Sequence, residues 1–215
     1  MNMGVDLSIV IFLLAAAVGM LALGMEMGRV ASREKKPFVS QTKGSALYGI
    51  RYSFTKGMFP WNKESGRLHP FLFWAGVNYH IGIFLAFGML LYNLAAREQP
   101  GLLIHLFSLV SLVAAGIGAV QIFRRFTVPE LKVIHTPDDF ISACLVILFL
   151  LGASLYGLTG SHSIFMNLSA AILFLYIPFS KIRHMIAFFF CRYYLGEENG
   201  RKGIYRAGEK NIGLS

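Results

Sequence analysis

Five long apolar runs set the pattern of this chain, at about 7–27, 71–96, 102–123, 140–158 and 164–190. A helix crossing a bilayer needs about 20 mostly apolar residues, and each run is near that length. None alternates apolar with polar positions as a barrel strand does, so the backbone must satisfy itself within each segment as a helix. The polar stretches between the runs are uneven. The connection at 31–69 is long, those near 97–101 and 159–163 are very short, and 196–215 is polar and glycine-rich. The pattern predicts an all-α integral membrane five-helix bundle over 1–195, followed by a cytoplasmic tail over 196–215. The first run is too long for a signal-peptide core and lacks a basic leader, so it reads as a retained helix.

Charge sharpens this picture by its placement. All but one of the 20 Lys and Arg residues fall in 29–67, in the third-to-fourth connection, or at the end of the fifth run and beyond; Arg97 is the exception. The positive-inside rule then puts the N-terminus outside and the C-terminus in the cytoplasm, in the cell's inner membrane. A net charge of +9 would suit a nucleic-acid partner, but the one-sided distribution makes it a topology signal and excludes that class. With 55% hydrophobic and 14% charged residues, the composition also departs from the roughly 25% charge of soluble domains. The middle of the long connection, ALYGIRYSFTKGMFPWN (46–62), mixes aromatic and basic residues, as an amphipathic stretch in the interface or a docking surface would. Gly24 and Gly28 form a small-residue motif suited to helix packing. Cys144 and Cys191 lie in no thiolate metal motif and read as small buried hydrophobes.

Candidate chemistry rests on histidine. Ionisable groups at membrane depth are costly and usually functional. His80 lies about nine residues from the inner end of the second helix, and His184 about six from that of the fifth. At roughly 1.5 Å per residue the depths are about 14 and about 9 Å. A depth-matched pair on antiparallel helices can hold a b-type haem from both faces. Gly76, Gly82 and Gly88 would leave room for a flat macrocycle, and Pro178 would bend the fifth helix toward it. Lys181 and Arg183 are the candidate propionate contacts. His105 and His162, near the outer ends of the third and fifth helices, are candidates for a second haem. His69 reads as interfacial. His135 with Asp138 and Asp139 lacks a further nearby ligand for a metal, and Thr136 or Asp138 is expected to cap the fourth helix. Asn78, Asn93 and Asn167 are expected to make helix–helix hydrogen bonds, or to meet a quinone carbonyl.

The segments YHIGI (79–83), TPDD (136–139) and PFSKIRH (178–184) resemble the gamma-subunit family of respiratory nitrate reductase. That family includes the cytochrome b subunits of membrane heterodisulfide reductase and of Dsr- and Hmc-type complexes. The resemblance covers about 71–195. It implies haem b held by His80 and His184, with the two residues matching the pair nearer the cytoplasm. The family's outer pair falls at Leu90 and Met166, neither of them histidine, which is the pattern expected after loss of one haem. The resemblance further implies an electron-transfer subunit of a respiratory complex, not an enzyme alone. It would link membrane quinone (menaquinone or ubiquinone) to a cytoplasmic iron–sulfur subunit. The alternative is a cofactor-free membrane anchor, or a small transporter, tethering a cytoplasmic enzyme. Transporters tend to carry inverted repeats, and no repeat is visible here.

Overall fold

The apolar runs are helical in the computed structural model of the chain, which describes residues 3–32, 41–62, 64–95, 101–160 and 163–205. Among these residues there is no strand. The helices are α1 (Met3–Ala31), α2 (Ala46–Phe54), α3 (Glu64–Leu68), α4 (Pro70–Ala95), α5 (Leu102–Thr127), α6 (Pro129–Ile134), α7 (Pro137–Thr159), α8 (Ser163–Tyr176) and α9 (His184–Arg201). Four are long and apolar enough to cross a membrane: α1 from Leu7, α4, α5 and α7. The segments on either side of a break after α8 pass the same test only as a pair. α5 runs past its expected end at 123 because Arg124 and Arg125 occupy its last turn, where cations meet the negative end of the helix dipole.

The chain forms two compact units, Met1–Gly28 with Trp74–Arg183, and Arg29–Phe73 with His184–Ser215. In the first, α7 is central. Half of its apolar window is buried, against 22% for α4. Small residues set the close crossings around it. A methyl at Gly152 would lie 2.9 Å from the Met166 Cα, and one at Gly157 2.7 Å from the Ser108 Cβ. Gly82 of α4 meets Ala114 of α5 in the same way, and Gly19 of α1 meets the Phe174 carbonyl of α8. Gly24 and Gly28, the expected packing motif, have nothing within 4 Å of a built methyl. The contact falls at Gly19 because helix register, not the motif, decides which face meets α8. Deep in this unit Asn93 donates to Asn167 (3.3 Å) and Asn167 to Ser8 (3.0 Å), joining α4, α8 and α1. The helices leave Leu14, Phe84, Val113 and Phe123 exposed, an apolar exterior of the kind a bilayer covers.

The second unit is built on α2 and α9. A methyl at Gly49 would collide with the Gly196 carbonyl and lie 2.5 Å from the Gly200 Cα. This approach lets Ser53 donate to the Arg192 carbonyl at 2.8 Å. The Lys43 and Gly44 amides take the Arg201 carbonyl at the end of α9, satisfying a group every helix C-terminus leaves open. Gly203, at φ 73°, supplies the left-handed turn that stops the helix. Residues 196–201, expected to begin an extended tail, therefore belong to α9, because packing on α2 outweighs the low helix propensity of Gly196 and Gly200. The rest of the expected tail, 206–215, lies outside the described residues, as do parts of the 31–69 connection (33–40 and 63).

The fifth apolar run is also corrected. Expected as one helix over 164–190, it is interrupted by 3-10 turns at Ile177–Phe179 and Lys181–Arg183. Pro178 removes a backbone donor, and Ser180 is extended at φ −108°, ψ 170°. The amides freed by the break find side-chain acceptors. Lys181 N–H donates to Asp138 at 2.8 Å, and Ile182 N–H to the Ser180 hydroxyl at 3.1 Å. The depth of His184 reckoned from a helix end at 190 does not apply either, because α9 begins at His184 and runs on to Arg201.

Candidate functional site

His80 sits on the exposed face of α4 in the first unit. Its Nδ1 is 2.7 Å from the carbonyl oxygen of Gly76, one turn earlier. A carbonyl only accepts, so Nδ1 carries the proton and the Nε2 lone pair is left outward. That is the tautomer and the orienting bond seen in metal-ligating imidazoles. Gly76 lies on the same face, with nothing within 4 Å of a methyl built on it, so the surface beside the ring is low. Tyr79 stands edge-on to the imidazole, with centroids 5.9 Å apart. Of the other flanking glycines, Gly88 is open and Gly82 is filled by helix packing.

His184 is the first residue of α9 and belongs to the second unit. It is exposed, as helix-starting residues beside a break commonly are. His105 is half-buried on α5, where its carbonyl accepts from Ser108 at 2.6 Å. His162, its expected companion for a second haem, lies outside the described residues. Leu90 and Met166, where the resemblance locates the family's outer ligands, are 1% and 0% exposed, within the packed interior of the first unit.

Lys181 and Arg183, expected beside haem propionates, have carboxylate partners in the first unit. Lys181 Nζ is 2.8 Å from Asp139, and Arg183 is 3.0 Å from Glu26. Asp139 is the hub of a polar cluster at the start of α7. It accepts from the Thr136 amide at 2.9 Å and the Thr136 hydroxyl at 2.8 Å, and its other oxygen is 3.3 Å from Arg125. Thr136 is thus the helix cap, as expected. Asp138 does not cap; it accepts from the Tyr176 hydroxyl at 2.7 Å, the Lys181 amide and Ser142. His135 Nδ1 lies 4.0 Å from Asp139, beyond hydrogen-bond reach. Among the described residues no three His, Cys, Asp or Glu side chains gather to hold a metal ion, and the cations around Asp139 already occupy its oxygens.

Sequence reasoning missed this clamp. Its signal was present as two acids at a helix start and a Lys–Arg pair at the end of another apolar run, since ionisable groups near membrane depth seek one another. Asn93 and Asn167 make the expected helix–helix bond, while Asn78 is exposed and donates to the Trp74 carbonyl at 2.9 Å. The arrangement defines a helical protein with an outward-facing, pre-oriented imidazole and an acid clamp at the helix break. Comparison of the chain with protein-family models, with curated proteins and with solved structures finds no match.

Proposed function

We propose that this chain is a haem b membrane subunit of a respiratory redox complex in the cell's inner membrane. It would carry electrons between membrane quinone and a cytoplasmic iron–sulfur partner, with the N-terminus outside and the C-terminus in the cytoplasm. His80 and His184 are the proposed axial ligands. The observation that carries the reading is His80 itself: its Nδ1 is bound to the Gly76 carbonyl, its Nε2 is left for iron, and the methyl-free Gly76 surface lies beside it. When bound, the haem supplies a one-electron couple. The chain's share is to hold the imidazole in the right tautomer. The filled positions at Leu90 and Met166 favour one haem over two.

One observation favours the second reading, a cofactor-free anchor. Lys181 and Arg183 already have carboxylate partners, so their presence in an apolar run is explained without propionates. A single experiment separates the readings. The full chain is expressed with ample haem, purified, and examined by reduced-minus-oxidised spectroscopy and pyridine haemochrome assay. One haem b per polypeptide is expected. His80→Ala and His184→Ala should each lose the bis-histidine spectrum, and His105→Ala should keep it. A colourless wild-type protein, or an unchanged spectrum in either ligand variant, overturns the assignment.

A further inference from the structure

A recess of about 460 Å³ opens on the second unit, lined by Ser45, Leu47, Tyr48, Arg51, Tyr52, Thr55 and Lys56. Two features separate it from an ordinary solvated helix face. The first is charge without compensation. Arg51 and Lys56 are exposed, and among the described residues neither side chain has an ion-pair partner. The second is a fixed aromatic wall. Tyr52 stacks on Tyr205 with centroids 4.3 Å apart, and Tyr205 is itself held by Asn199 at 3.1 Å. Tyr48 lies one turn before Tyr52, with centroids 6.5 Å apart. The α2–α9 crossing at Gly49 anchors the helix that carries these residues.

We propose that this recess binds a phosphate ester. The guanidinium of Arg51 and the ammonium of Lys56 would share the phosphate oxygens, a geometry in which arginine is strong. The recess is larger than a bare phosphate and falls within the size of small-molecule sites. It therefore has room for the polar group esterified to the phosphate, against the tyrosine faces. The phosphate could belong to a lipid headgroup or to a soluble ester. The lipid source is favoured by chain connectivity, since 41–62 joins α1 to α4, both able to cross a membrane. It is favoured also by Phe59 and Trp61, stacked at 4.6 Å and exposed, the kind of aromatic pair that settles at headgroup level. The proposal does not depend on haem.

The test uses the full chain in nanodiscs of phosphatidylcholine with or without phosphatidylglycerol. Retained phosphatidylglycerol is counted by native mass spectrometry after partial delipidation, and inorganic phosphate is the soluble probe. One phosphatidylglycerol per chain is expected. The Arg51→Gln/Lys56→Gln double variant should bind it roughly thirtyfold more weakly, from the usual contribution of two basic residues at an anionic surface. Lys132→Gln, an exposed cation on α6, should bind it as the wild type does. Both altered side chains are exposed, and circular dichroism checks that the helices persist. Displacement by inorganic phosphate would identify a soluble ester as the ligand. Resistance to it, with the lipid still lost in the double variant, would identify the headgroup. Equal lipid retention and equal phosphate binding in wild type and double variant overturn the proposal, as does an equal loss in Lys132→Gln.

Discussion

Asp138→Ala offers the sharpest test of the clamp. The carboxylate accepts from the Tyr176 hydroxyl at 2.7 Å, from Ser142 at 3.2 Å and from the Lys181 amide at 2.8 Å. Hydrogen bonds to a charged group contribute about 1.5–3 kcal/mol each when their partners are left unpaired and buried. Ser142 is 8% exposed and Tyr176 half-buried, so both donors lose most of that. The Lys181 bond is exposed, and water replaces it at little cost. The net loss is about 3 kcal/mol, a sizeable share of the roughly 5–15 kcal/mol that holds a folded domain. Tyr176→Phe removes one of these bonds and is expected to cost about 1–2 kcal/mol. Stability is read from helicity during dodecyl sulfate titration in mixed micelles. If the clamp acts as described, the double variant shows a coupling of about 1–2 kcal/mol, well above the few tenths expected of independent sites. Additive losses, or less than about 1 kcal/mol for Asp138→Ala, would show that the bonds are not what closes the helix break.

Two further outcomes follow from the packing. Gly49→Val puts a side chain onto the backbone of Gly196 and Gly200, and is expected to cost about 1–3 kcal/mol or more by overpacking; Gly24→Val, facing open space, should be near neutral in the same titration. Asn167→Ala leaves Asn93 and Ser8, both buried, without the side chain they bond, and should lower stability by about 1–3 kcal/mol; a value near zero would mean the network holds nothing together.

What could be read from the sequence was the part set by local pattern. The apolar runs gave α4, α5 and α7 nearly to their ends, because burial in lipid demands a continuous helix and nothing else competes. Thr136 as a cap was legible for the same reason: its place before Pro137 and two acids is a local signature. The break in the fifth run was only half legible. Pro178 announces a bend, but the break also needs an acceptor for the Lys181 amide, and Asp138 comes from a different helix. The last turns of α9 were hidden altogether. Gly196 and Gly200 weaken a helix in isolation, and only the approach of Gly49 makes them an asset. At the candidate site, His80 could be picked out as a histidine inside an apolar run, but its tautomer needed the position of the Gly76 carbonyl.

The clamp also changes what the sequence resemblance is worth. Two of its three segments, TPDD and PFSKIRH, meet in the structure. Asp138 takes the Lys181 amide, and Asp139 takes the Lys181 ammonium. A cap, a proline break and an acid–lysine pair form one mechanical unit, and any membrane helix pair needing that turn would select both segments together. Their joint occurrence is therefore evidence for a way of folding the helix break, and a protein with no haem could use it. The redox reading has to stand on the residues that the clamp does not explain. These are His80, whose Nδ1 is bound to the Gly76 carbonyl, and His184, the first residue of α9. Replacing Asp138 tests the turn, and replacing the two histidines tests the cofactor. Because the two sets of residues do not overlap, loss of the clamp and loss of haem can be told apart in the same purified protein.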